Sequence, residues 1–118
     1  MAKRGSMHIV HLPGLTTFRP EKFLPELVYG SAGVHAFLLC LVPGQGLPPR
    51  RDSEEVVCYV IEGRVRLTVG EEETLLEAGD LAGVAPGVLR SLAAAARAVV
   101  LWIHVGNSGT ATELPTTE

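Results

Sequence analysis

The chain has 118 residues, a formal net charge of −3 and 47 % apolar residues, enough for one domain with a buried core and too short for two. Its basic residues do not cluster beyond pairs, Lys3-Arg4 and Arg50-Arg51, so nothing marks a basic surface for nucleic acid or for a membrane. The basic start is followed by no apolar stretch of a secretory signal, and runs such as residues 99–103 are far too short to span a bilayer, so a cytoplasmic location is expected.

In chain order, residues 8–12 predict a short strand. Residues 20–29 predict a helical turn or two, interrupted by Pro25. Residues 33–42 (GVHAFLLCLV) predict a strand stopped by Pro43-Gly44. A polar segment rich in proline and arginine follows, with no strand assigned to it. Residues 56–61 (VVCYVI) are β-branched and aromatic, and residues 64–69 (RVRLTV) alternate polar with apolar, the period of a half-buried strand. Gly70-Glu71 makes a tight turn into residues 73–77, Gly79-Asp80 opens residues 81–84, and Pro86-Gly87 turns the chain into residues 88–92. Residues 93–97 are expected to connect to a last strand at 97–105.

Short strands at close spacing with glycine and proline between them predict an all-β sandwich or barrel. The expected division is an extension over 1–32 that packs on the barrel, the barrel itself over 33–105, and a loose tail from 106 to 118. Cys40 and Cys58 sit in apolar runs without metal-pair spacing, and both predict buried free thiols. Cys58 shares a strand face with Val56 and Val60, which makes it a candidate to line the interior.

Two glycine-rich segments carry a recognisable spacing. Gly44 and Gly63 fit the ends of G(X)5HXH(X)3,4E(X)6G, and Gly79 and Gly87 fit the glycines of G(X)5PXG(X)2H(X)3N. With the strand–turn–strand texture of EEVVCYVIEGRVRLTV, this resembles the cupin family. The resemblance implies a cupin-type antiparallel β-barrel, a double-stranded β-helix or jelly roll, with a minor helical turn near the N-terminus. It also implies a homodimer. The last strand and residues 34–42 are apolar on both faces, so one face needs a cover outside the barrel.

The family's usual metal ligands are replaced. In this register the two motif-one histidines become Arg50 and Asp52, and the glutamate becomes Val56 with Glu55 one place earlier. The motif-two histidine becomes Arg90, its asparagine Ala94, and its proline Ala85 beside Pro86. Imidazole gives a metal a lone pair, whereas guanidinium stays protonated and only donates. No metal and no cofactor are therefore expected there.

Arg50, Asp52 and Arg90 predict instead a site for a small anion, since guanidinium forks match carboxylate or phosphate. The competing expectation is a solvated barrel mouth whose charges pair among themselves. His35 and His104 lie on predicted strands and are candidates for the barrel interior.

The leading expectation is a metal-free, non-enzymatic cupin that binds a small anion in a sensing or accessory role. One alternative is a small enzyme of isomerase, oxygenase or lyase type. It would use a relocated metal or an acid–base pair drawn from His35, His104, Glu55 and Cys58. A purely structural dimer module is the other.

Overall fold

A computed structural model describes residues 2–4 and 6–106; the predicted loose tail beyond Gly106 lies outside the described residues. Among the described residues, eleven strands follow one another. They are β1 (Ala2–Arg4), β2 (Met7–Ile9), β3 (Glu26–Gly30), β4 (Val34–Leu41), β5 (Gly46–Arg50), β6 (Glu55–Glu62), β7 (Arg64–Val69), β8 (Glu72–Glu77), β9 (Leu81–Val84), β10 (Arg90–Ala94) and β11 (Ala98–Val105). Two sheets face each other, one in the order β5-β10-β7-β8 and one in the order β3-β4-β11-β6-β9, with all pairings antiparallel. This is the all-β jelly-roll barrel that the resemblance implies.

Alternation explains which side chains fill it. On β7, Val65 and Leu67 point inward while Arg64 and Arg66 face out. On β6, Val56, Cys58 and Val60 are all fully buried. They meet Leu39, Leu41, Val84, Val100 and Trp102 in one core cluster between the sheets.

The corners depend on glycine. Gly63 has φ +83°, and a Cβ there would collide with the Arg97 carbonyl. Gly79 has φ +95° at the turn where its amide donates to the Val60 carbonyl at 2.8 Å. Both are conformations that a residue with a Cβ rarely adopts.

Three local expectations need correction. Residues 26–30 form β3, not a helical turn. Pro20 and Pro25 obstruct a helix, and pairing with β4 buries Val28. The helical turn lies earlier, as a 3-10 turn over Leu12–Leu15 with proline in its first positions, and it cuts the predicted first strand back to Met7–Ile9. The proline-rich segment contains β5, which Pro48 and Pro49 obscured. Proline is tolerated there because β5 is an edge strand. In addition, β10 begins at Arg90, two residues later than predicted, and takes in Ala93 and Ala94.

The second apolar face of β4 and β11 finds part of its cover inside the chain. Val10, Leu12, Leu15 and Phe18 pack over Ala36, Leu38, Cys40 and Val99 in a second cluster. The Arg97 guanidinium closes this layer, 4.4 Å from the centre of the Phe18 ring.

Candidate ligand site

The two motif segments meet at one end of the barrel. Antiparallel pairing of β5 with β10 sets Arg50 opposite Arg90. The Gly87 amide donates to the Asp52 carbonyl at 2.7 Å, tying the motif-two turn to the loop after β5. Asp52 then stands between the two arginines: its Oδ2 lies 3.4 Å from Arg90 Nη2 and 3.8 Å from Arg50 Nε. The structure thus brings together the three charged residues that the motif register singles out.

The two arginines differ in environment. The Arg50 side chain is 70 % exposed at the rim, whereas that of Arg90 is 2 % exposed. Burial lowers the Arg90 pKa, and Asp52 opposes that shift. Arg50 adds a smaller lowering and Glu54 a smaller raising influence. The Arg90 Nη1 donates to the Glu54 carbonyl at 3.3 Å.

Glu54 is the residue that motif reasoning missed. It precedes β6, so strand alternation gave it no direction. Its Oε1 lies 3.0 Å from His104 Nδ1. The Glu54 carboxylate also packs against the backbone of Gly106, where a Cβ would press on its Oε2. The approach is close but not aligned as a hydrogen bond, and His104 Nδ1 stays buried without a directed partner. The available signal was the run of acids after Asp52, whose loop faces the end of the last strand.

Above this cluster opens a cavity of about 210 Å³. The inner face of β4 and β11 contributes Phe37, Leu39, Trp102 and His104; β5 contributes Leu47, Pro48 and Arg50. Arg90 and Ser91 complete the wall from β10, whose register against β5 shifts between Arg90 and Leu92. Pro25, just before β3, lines another side.

The other sequence candidates lie elsewhere. His35 sits opposite His104 on the β4–β11 ladder and packs near Gly30, but it is not among the lining residues. Cys58 is opposite Trp102 in the core rather than on the cavity wall, and burial pushes its thiol up to about 12. Val56, not Glu55, faces inward, and no bulge turns Glu55 round. Glu55 is exposed on the opposite face of β6.

The motif positions do not fit a metal ion. Two carry guanidinium cations, one carries the apolar Val56, and Asp52 already faces both cations. A different group, Asp52, Glu54 and His104, presents donor atoms all within 4.8 Å of one another.

The cupin domain profile matches residues 37–105, so the chain belongs to the cupin family. The TT1209 protein of Thermus thermophilus is 31 % identical, with a TM-score of 0.79 over 85 % of this chain and 98 % of that one. A conserved protein of unknown function from Streptococcus pyogenes has the same fold at 13 % identity and a TM-score of 0.76, over 89 % of this chain and 90 % of that one. So does a cupin superfamily protein from Desulfitobacterium hafniense DCB-2, at 17 % identity and 0.76, over 84 % and 91 %. No curated protein matches the chain.

Proposed function

We propose that this cupin is a metal-free protein that binds a small organic anion in its barrel, in a sensing or accessory role. The observation that carries the reading is Arg90, a buried cation on the wall of a largely apolar cavity. A guanidinium has five N–H donors. Two of those on Arg90 are engaged, at the rather long distances of 3.3 and 3.4 Å. Glu54 supplies a second negative charge, but its carboxylate approaches His104 while Arg90 reaches its carbonyl oxygen. A carboxylate entering the cavity meets Arg90 in the wall and Arg50 at the rim. A thermal-shift screen of small organic acids and phosphates tests this, since a ligand that binds only the folded state raises the melting temperature. Failure of every anion to shift the wild-type protein overturns it.

The Asp52–Glu54–His104 group favours a second reading, an enzyme with a relocated metal. Arg90 opposes it, because its guanidinium stands beside the Asp52 oxygen that a cation would need. The purified protein is therefore expected to hold less than about one tenth of a transition-metal ion per chain. Elemental analysis decides the matter. Near-stoichiometric metal that disappears in Glu54→Gln would establish the second reading.

The same chain is expected to form a two-fold homodimer through an outer sheet face. Leu101, Tyr59 and Leu81 stand side by side across β11, β6 and β9; Leu101 packs against the N-terminal layer, while Tyr59 and Leu81 remain exposed. Leu81 is 66 % exposed at the edge strand. The β1–β2 hairpin pairs with no other strand among the described residues, and an isolated hairpin is marginal in water. Light scattering at micromolar concentration is expected to give twice the chain mass, and Leu81→Glu to give the monomer. A monomeric wild type ends this proposal.

A further inference from the structure

We infer that the anion is a monocarboxylate carrying a single aromatic ring, with the carboxylate toward Arg50 and Arg90 and the ring against Phe37 and Trp102. The inference rests on the anion-binding reading and narrows it to one class of ligand.

Size comes first. The cavity measures about 210 Å³, and an apolar cavity of roughly 150 Å³ already takes benzene. One ring with a short acidic side chain fits. Two rings do not.

The chemistry of the walls comes second. Leu39, Leu47, Pro25 and Pro48 are aliphatic, and besides the two arginines the wall offers polar atoms only on Ser91, Trp102 and His104. A sugar acid or sugar phosphate would carry several of its hydroxyls against the leucine, proline and phenylalanine side chains, where they find no partner. Inorganic phosphate would leave the apolar volume unfilled. A dicarboxylate would press its second charge against leucine and proline.

Ring geometry comes third. The His104 ring stands edge-on to both aromatic neighbours, at 82° and 5.8 Å from Phe37 and at 70° and 6.5 Å from Trp102. Such a wall offers ring edges and ring faces together, the surfaces that favour a further aromatic ring over an aliphatic one of similar size.

The two cations fix the direction of entry. Arg50 is exposed at the rim and Arg90 is buried in the wall. The charged end of the ligand can touch both only if it stays on the side of the opening where they meet. The ring is then the part that goes inward.

Calorimetric titration of the full chain tests the inference with phenylacetate, cyclohexylacetate, phenylacetamide, galacturonate and inorganic phosphate. Phenylacetate is expected to bind at least about tenfold more tightly than each of the others, which lack the ring, the charge or the apolar body. Leu47→Trp fills the cavity from the edge strand and is expected to weaken phenylacetate at least about tenfold without weakening phosphate. Should that variant unfold, Leu47→Asn asks the same question by placing an amide against the ring.

Several outcomes overturn the inference. Galacturonate or phosphate binding as tightly as phenylacetate removes the aromatic class while the anion-binding reading stands. Equal affinity for cyclohexylacetate removes the requirement for a ring. Unchanged phenylacetate affinity in both Leu47 variants removes the proposed seat. Binding of no anion at all removes this inference and the reading beneath it together.

Discussion

Arg90→Ala is expected to weaken organic-acid binding about tenfold or more and to destabilise the fold by about 2 kcal/mol. The binding loss follows from charge-assisted hydrogen bonds, each of which contributes roughly 1.5–3 kcal/mol in a partly desolvated site. The stability loss follows from burial. Alanine leaves the space of a buried side chain empty, deprives the Glu54 carbonyl of its donor, and leaves Asp52 only the rim contact with Arg50 at 3.8 Å. In the sequence Arg90 resembles a residue at the barrel mouth whose loss would spare folding. Its exposure of 3 % changes that expectation.

Two further variants separate the effects. Arg90→Met keeps most of the side-chain volume and is expected to lose binding with a smaller stability penalty, about 1 kcal/mol. Arg90→Lys restores a positive charge without the planar fork and is expected to recover only part of the affinity. Thermal shifts by small organic acids, set against each variant's own unliganded melting temperature, provide the measurement. If the shifts survive intact in Arg90→Met, the guanidinium is not the binding group.

The arginine pair was legible because glycine spacing carries register. Gly44, Gly63, Gly79 and Gly87 all adopt positive φ, between +82° and +95°. A backbone demand of that kind leaves a mark at one residue, whatever the neighbouring side chains are. Once the glycines are aligned, Arg50 and Arg90 fall at equivalent places, and the sheet sets them opposite each other. The strands over 34–41, 55–62 and 64–69 were legible for a different reason, since alternation and β-branching act within each segment.

What the sequence hid depends on contacts made at long range. Edge placement rescues β5 despite its two prolines, and a neighbouring strand is invisible to local propensity. Glu54 meets His104 fifty positions away in the chain. His35 and His104 have equal standing as strand histidines, yet only His104 reaches the cavity. The cavity itself is a matter of volume. Its existence depends on how Phe37, Leu47 and Trp102 fail to close over one another, and no single-residue signal encodes that.

Alkaline pH is expected to destabilise the protein through Cys58, and Cys58→Ala is expected to become more stable than the wild type above about pH 10.5. The thiol has no solvent exposure, and burial raises its pKa from an ordinary 9.0 to about 12. The folded state therefore keeps its proton where the unfolded state releases it. The neutral thiol's contribution is fully present below 9.0 and is lost as pH rises through about 12. The difference between 9.0 and about 12 corresponds to about 4 kcal/mol in total, of which about 1.4 kcal/mol is already lost at pH 10.

Alanine at this position is expected to cost about 1–2 kcal/mol at neutral pH, for the lost sulfur contacts and the small void. It has no proton to lose, so the two stability curves converge as pH rises and then cross. Cys40, whose pKa burial also raises, is present in both proteins, as are the tyrosines and lysines, so their contributions cancel in the difference. Urea unfolding of both proteins in reductant, from neutral pH to about pH 11, reads that difference directly. A constant offset across the range would mean that Cys58 reaches water in the folded state. It would then return to consideration as a reactive group beneath the cavity, because only an exposed thiolate can act as a nucleophile or a ligand.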